Sequence, residues 1–231
     1  MIEITWLGHA TFQLKLENGE IVLLDPWIEG NPKAPQGFRI DRIDTMLITH
    51  GHGDHMNDAV ALARKFHPKV IANFEIGLWL AGKGVENTGG MGKGGSQKAG
   101  SLEVTMTDAR HSSGIQDGNS IVYGGEAAGF ILHFADGRAA YFAGDTAVFS
   151  DMALYRELYA PELAFLPIGD YFTMDPKQAA LAARMLGVKQ VIPMHFGTFP
   201  VLKGTPAELA GLLKKDGIEV WELQPGKRVQ W

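Results

Sequence analysis

Thr49-His50-Gly51-His52-Gly53-Asp54-His55 places three imidazoles and a carboxylate within six residues, in the pattern H-x-H-x-D-H. Neutral imidazole is available as a metal ligand near pH 7, and a neighbouring carboxylate suits a hard or borderline divalent ion. A histidine-rich polar surface loop is the plain alternative, and it leaves the spacing unexplained. Met46-Leu47-Ile48 precedes the run as a short apolar strand, and after it Ala59, Leu62, Ala63 and Phe66 recur at helical spacing until Pro68 ends the pattern. The cluster therefore sits in a strand-to-helix turn, where layered α/β folds keep their chemistry.

Outward from this turn the chain is rich in short strands. Glu3 to Leu7, Thr11 to Leu16 and Ile21 to Asp25 open it, with Asn18-Gly19 as a hairpin signal between the last two. Val70 to Ala72, Leu102 to Thr107, Phe130 to Phe134, Ala139 to Ala143, Leu163 to Leu166 and Gln190 to Ile192 continue the series, and Glu219 to Glu222 and Arg228 to Trp231 close it. Asp175-Pro176-Lys177-Gln178 and Thr205-Pro206-Ala207-Glu208 each place a cap and an N1 proline at a helix start, with Gly187 and Gly217 at the ends. The turns at Asn18 and at Asp136-Gly137 demand antiparallel neighbours, which disfavours a doubly wound parallel sheet. The pattern predicts an α/β fold, a four-layered αββα sandwich of two mixed β-sheets with helices outside, as a single domain over residues 1–231.

Composition narrows the function classes. The 231 residues are 45% hydrophobic and 20% charged, ordinary for a globular enzyme, and the formal charge of −5 with scattered lysines disfavours nucleic acid as a partner. With no cysteine, thiolate chemistry is excluded and His, Asp and Glu remain the strong ligands. The first residues begin directly with strand-like alternation and no apolar run approaches spanning length, so no membrane span and a cytoplasmic location are expected.

Three further polar residues each follow an apolar run: His111, Asp145 after Tyr141-Phe142-Ala143-Gly144, and His195 after Val191-Ile192-Pro193-Met194. Singly each reads as a capping or loop residue. Together with the opening cluster they can serve a pair of divalent ions about 3.5–4 Å apart, which needs a bridging carboxylate and several imidazoles. Asp145 is the suitable bridge.

The order H-x-H-x-D-H, then His, then Gly-Asp-Thr, then His resembles the metallo-β-lactamase superfamily over nearly the whole chain. Trp6-Leu7-Gly8-His9-Ala10, Leu166-Pro167-Ile168-Gly169-Asp170 and Pro193-Met194-His195-Phe196 bring it closer to a microbial branch of metal-dependent hydrolases, similar to ascorbate-6-phosphate lactonase and N-acyl-phosphatidylethanolamine phospholipase D. The resemblance implies His50, His52 and His111 on one metal, Asp54, His55 and His195 on the other, and Asp145 between them. It implies two divalent ions, Zn2+ foremost with Mn2+ or Fe2+ compatible, and a homo-oligomer by analogy. The early Asp25 is expected to hold the histidine loop.

The function expected is hydrolysis by a hydroxide bridging the two ions, attacking a lactone or ester or a phosphodiester of a small substrate. Charge counting over the ions, Asp54, Asp145 and the hydroxide leaves a positive residue, which favours an anionic substrate. Asp54 is expected to orient the water or take its proton, and His9 to touch substrate, act as a general acid, or hold the loop. The alternative is a catalytically idle metal- or ligand-binding protein of the same fold. The glycine-rich Gly89 to Ser96 fails as a phosphate loop, since Gly94 stands after Lys93 where Ser or Thr is required, and reads as a mobile loop near the site mouth. Tyr123-Gly124-Gly125-Glu126 reads as a turn or a substrate-facing segment, and His67 and His133 as structural residues.

Overall fold

In the computed structural model, which describes residues 1–231, hydrophobic alternation at the N-terminus builds the first sheet. β1 (Glu3–Trp6), β2 (Phe12–Lys15) and β3 (Ile21–Leu24) pair antiparallel, the Asn18-Gly19 turn setting Lys15 opposite Ile21. β4 (Thr45–Leu47), β5 (Lys69–Asn73) and β6 (Thr88–Met91) then add in parallel. Between them lie α1 (Gly53–Met56), α2 (Ala59–Phe66) and α3 (Phe74–Gly82).

The second sheet follows the same plan. β7 (Ser96–Ala99) and β8 (Leu102–Asp108) pair antiparallel, and after a separate hairpin of β9 (Gly114–Asp117) and β10 (Ser120–Tyr123) come β11 (Ala128–His133) and β12 (Ala139–Phe142). α4 (Met152–Tyr159), β13 (Leu163–Pro167), α5 (Pro176–Leu186), β14 (Gln190–Met194), α6 (Pro206–Leu213) and β15 (Glu219–Val220) extend the sheet in parallel, and β16 (Arg228–Gln230) returns to pair with β1. The resulting orders are β16-β1-β2-β3-β4-β5-β6 and β15-β14-β13-β12-β11-β8-β7.

Phe12 of the first sheet meets Phe165 and Phe142 of the second at ring separations of 4.9 and 6.1 Å, so the two sheets close on an aromatic seam. Ala179, Ala183 and Leu186 of α5 cover the outer face of the second sheet, while Ala59, Ala63, Ile76 and Leu80 of α2 and α3 join Leu23, Met46 and Val70 on the outer face of the first. This is the expected four-layered sandwich of mixed sheets. No helix is long and apolar enough to cross a membrane.

Strand direction places the site. Within each sheet β1, β3 and β4, and likewise β8, β12 and β14, run the same way, and their C-terminal ends lead into His9, Asp25, His50, His111, Asp145 and His195 respectively.

Several elements depart from the expectation. Gly89 to Ser96 is not a mobile loop: Thr88–Met91 and Ser96–Ala99 are edge strands, one in each sheet, and Gly90 packs where a Cβ would lie 3.1 Å from Phe74 Cα. α3 has Glu75 as its one charged residue, which hides its period, although Asn73 caps it by accepting from Ile76 N at 2.9 Å. In line with the expectation, His67 ends α2 in a left-handed conformation and His133 lies in β11, where it meets the hydroxyl of Thr105 at 2.9 Å.

Candidate metal centre

Asp25 organises the histidine loop. It is fully buried, has a left-handed φ of 45°, and accepts from Thr49 N and Thr49 Oγ1, both at 2.8 Å, and from His55 Nδ1 at 2.7 Å. A carboxylate can only accept, so the hydrogen of each partner is assigned. His55 therefore carries its proton on Nδ1. Thr49 spends its hydroxyl hydrogen on Asp25, so its oxygen accepts from His50 Nδ1 at 3.0 Å. Both imidazoles are thereby oriented with Nε2 turned the other way, the geometry by which outer partners aim metal-binding nitrogens.

Those Nε2 atoms converge with others. His52 Nδ1 lies 3.1 Å from His50 Nε2 and 3.3 Å from His111 Nε2, while His52 Nε2 meets Ser112 Oγ at 3.3 Å. Asp145 stands beside four imidazoles: Oδ2 is 3.0 Å from His195 Nε2, 3.6 Å from His111 Nε2 and 4.0 Å from His50 Nε2, and Oδ1 is 3.2 Å from His55 Nε2. Asp54 Oδ2 lies 3.8 Å from His195 Nε2. Every ligand candidate named from the sequence thus reaches one cluster.

The donor set fits divalent ions. His55 Nε2, Asp145 Oδ1 and both nitrogens of His195 are buried with no directed hydrogen bond. Each such atom costs about 1–3 kcal/mol if nothing satisfies it, and three of them, His55 Nε2, Asp145 Oδ1 and His195 Nε2, gathered at the Asp145 carboxylate call for a partner outside the side-chain set. Burial drives the His50 imidazole well below its ordinary range, so its lone pair is free. Burial pushes Asp54 and Asp145 upward, but the His9 hydrogen bond and His55 in the first case, and His195 and His55 in the second, outweigh it and hold both carboxyls ionised. His55 is pushed up against its own burial because Asp145 and Asp25 flank it; two buried carboxylates demand positive charge there.

His9 plays a different part. Its Nε2 lies 3.1 Å from Asp54 Oδ2, so it donates, and its Nδ1 accepts from Thr198 Oγ1 at 2.9 Å. Burial pushes it down to about 4, keeping it neutral. With Nε2 committed to a carboxylate and Nδ1 to a hydroxyl, it has no lone pair to offer an ion. His9 O accepts from His195 N at 3.1 Å, and both residues hold left-handed φ near 55°, a backbone conformation that costs about 1–3 kcal/mol and is retained where surroundings over-determine it. A Cβ on Gly169 would strike His195 O, so glycine there leaves room for this loop.

Residues 20–196 match the model of the beta-lactamase superfamily domain. The chain belongs to that superfamily. A UPF0173 metal-dependent hydrolase of Solibacter usitatus is 59% identical over 230 residues, all of both chains, and one of Methanopyrus kandleri is 42% identical over 228 residues, 98% of each. Among solved structures, Igni18, a metallo hydrolase of the archaeon Ignicoccus hospitalis, aligns with a TM-score of 0.86 at 34% identity, covering 99% of this chain and 97% of its own. The metal-dependent hydrolases of the superfamily are therefore this chain's group.

Thr49 and Thr198, which set the hydrogen positions on His50 and His9, were not legible as site residues. Thr49 stands inside the quoted run but carries no signal beyond adjacency. Thr198 lies three residues past His195 in an irregular loop, and nothing local distinguishes it.

Proposed function

We propose that the chain is a single hydrolase domain over residues 1–231 that holds two divalent ions, Zn2+ foremost, and cuts a lactone, ester or phosphodiester bond of a small molecule. His50, His52 and His111 would hold one ion, Asp54, His55 and His195 the other, and Asp145 both. The observation that carries this reading is the set of three buried ligand atoms, His55 Nε2, His195 Nε2 and Asp145 Oδ1, where both imidazole nitrogens crowd the Asp145 carboxylate at 3.0–3.2 Å with no directed hydrogen bond on these atoms, beside imidazoles whose orientation Asp25 sets directly or through Thr49. When bound, the ions supply Lewis-acid activation of water and polarisation of the bond attacked.

The chain's own groups supply the rest. Asp54 is about a quarter exposed, the most open of the three carboxylates, and its Oδ2 is held by His9. Oδ1 is left to orient the attacking water or to take its proton. His9 and Thr198 fix the carboxylate's angle, so His9 is a positioning residue for Asp54. His9→Ala is expected to lower kcat about 10–100-fold, the range for outer partners of a metal site, with KM little changed; His9→Gln, which keeps a donor, is expected to recover part of the loss. Equal losses in both variants would remove His9 from this role.

Charge counting over two ions, Asp54, Asp145 and a hydroxide favours an anionic substrate. Asp25, buried 2.7 Å from His55, would offset that residual charge only when ionised, and burial raises its carboxyl above the ordinary range. The pocket walls bear on substrate charge as well.

Elemental analysis of purified protein followed by assays on a panel of lactones, esters and phosphodiesters tests the proposal. Bound metal with turnover of one class is the expected result. Two bound ions with no turnover across the panel would favour an idle binding protein.

A further inference from the structure

The ligand cluster opens into a cavity of about 580 Å³, bordered on its outer side by Phe172, Phe199, Pro200 and Val201. That volume is in the range of small-molecule sites. Beyond His52, Asp54, His111, Asp145 and His195, its only other polar wall is Ser112, and no lysine or arginine lines it. Two cations come near without lining the cavity: Arg110 pairs with Asp108 at 3.2 Å and lies over the Phe149 ring, and the Lys33 ammonium lies beside Gly197, two residues from Phe199. A substrate carrying phosphate or several carboxylates would find no counter-charge on these walls beyond the ions themselves.

The apolar border is built, not incidental. Phe172 is half exposed, and its position follows from Asp170 and Tyr171, two consecutive non-glycine residues at φ 66° and 57°. Backbone of this kind is strained and is kept where a loop must aim a side chain. Asp170 N donates to Met174 O at 3.0 Å and Met174 N to Thr146 O at 3.2 Å, which anchors the loop to the residue after Asp145. Opposite it, Phe199 stacks on Trp27 at 6.0 Å and meets the His9 ring edge-on at 5.6 Å. Gly204 N donates to Gly169 O at 3.4 Å, tying the two border loops together. Exposed aromatic and aliphatic side chains gathered at the mouth of a polar site mark a surface that meets an apolar group.

We propose that this cavity selects a neutral carboxylic ester or lactone whose acyl part is apolar, one ring or a short chain, lying against Phe172 and Val201 with its carbonyl toward Asp54 and Asp145. The proposal rests on the hydrolase reading above and narrows it to carbonyl chemistry. Water adds to the carbonyl carbon, the carbon–oxygen bond to the alcohol breaks, and the alcohol leaves with a proton, giving the acid and the alcohol. The acyl chain contributes binding without changing this step, so its effect is read in kcat/KM.

Zinc-loaded protein would be assayed with p-nitrophenyl acetate, butyrate and hexanoate and with bis(p-nitrophenyl) phosphate. The expected result is a rise of about two- to fourfold in kcat/KM per methylene, the upper figure corresponding to full burial of each CH2, with the anionic diester poorest. Phe172→Ala combined with Val201→Ala is expected to lower the hexanoate-to-acetate ratio about three- to tenfold, whereas Leu158→Ala, an exposed leucine on α4, leaves the ratio in place. Binding of 2-octanone, neutral and unreactive, measured by saturation-transfer NMR, gives a reading that needs no turnover and is expected to disappear in the double variant. A flat chain-length series with no ketone bound, or a preference for the diester, overturns the inference while the hydrolase reading stands. Ketone binding without hydrolysis of any carboxylic ester refutes the carbonyl assignment and leaves only an apolar seat, while the hydrolase reading is decided by the wider lactone, ester and phosphodiester panel; loss of both ketone binding and ester hydrolysis refutes the inference.

Discussion

Asp145→Asn is expected to reduce bound metal from two ions per chain to one or none and to lower hydrolysis at least about 100-fold, since loss of even an outer partner of a metal site costs 10–100-fold. The carboxylate is almost wholly buried and borders His50, His55, His111 and His195 within 3.0–4.0 Å. Asparagine has the same shape, so packing against β12 is retained. It offers one oxygen where two were available, and its amide hydrogens face imidazole lone pairs that the site needs bare. A negative charge held ionised against its own burial is also lost. Elemental analysis, turnover of the best panel substrate and far-UV circular dichroism would be compared with the unmodified protein. If metal content and rate were both unchanged with the fold intact, the two-ion reading would be wrong.

The fold was legible because its decisive signals were local. Asn18-Gly19 and Asp136-Gly137 announced antiparallel pairs, and the capped starts at Asp175 and Thr205 marked helices whose side-chain caps are present, Asp175 accepting from Gln178 N at 2.7 Å and Thr205 from Glu208 N at 3.2 Å. Elements that depend on tertiary burial were not legible. Phe74-Glu75-Ile76-Gly77-Leu78-Trp79-Leu80 has no polar face from which to read a period. Thr88-Gly89-Gly90-Met91 has the composition of a loop, yet it forms an edge strand because β5 offers a ladder and glycine at 90 avoids a tight Cβ contact with Phe74.

The clustering of the proposed ligands was legible for a related reason: metal-site chemistry draws on His and Asp with few substitutes, and the runs that hold them follow apolar strands. What surrounds them was not. Thr49 and Thr198 act through one hydroxyl each, and Phe172 and Val201 through exposure at a loop tip, features with no sequence period. Asp25 was legible as a partner of the histidine loop, but its electrostatic consequence required knowing that it is fully buried.

Chelation is expected to lower the melting temperature by about 5–10 °C. The estimate comes from linkage: an ion at 100 times its dissociation constant stabilises the folded state by about 2.7 kcal/mol, and in a chain of this size each kcal/mol moves Tm by about 2–4 °C. The direction follows from the buried atoms. His55 Nε2, Asp145 Oδ1 and the His195 nitrogens lack directed hydrogen bonds, so the folded chain alone carries a desolvation cost that ions remove, whereas in the unfolded chain water removes it. Differential scanning calorimetry with and without EDTA measures the shift, and adding back Zn2+ in excess of the chelator should restore it. An unchanged Tm would count against ions bound at buried ligands. The same measurement on Asp145→Asn separates the metal from the side chain: with its shared ligand gone, the variant should respond to EDTA by much less than the unmodified protein, because little bound metal remains to be withdrawn.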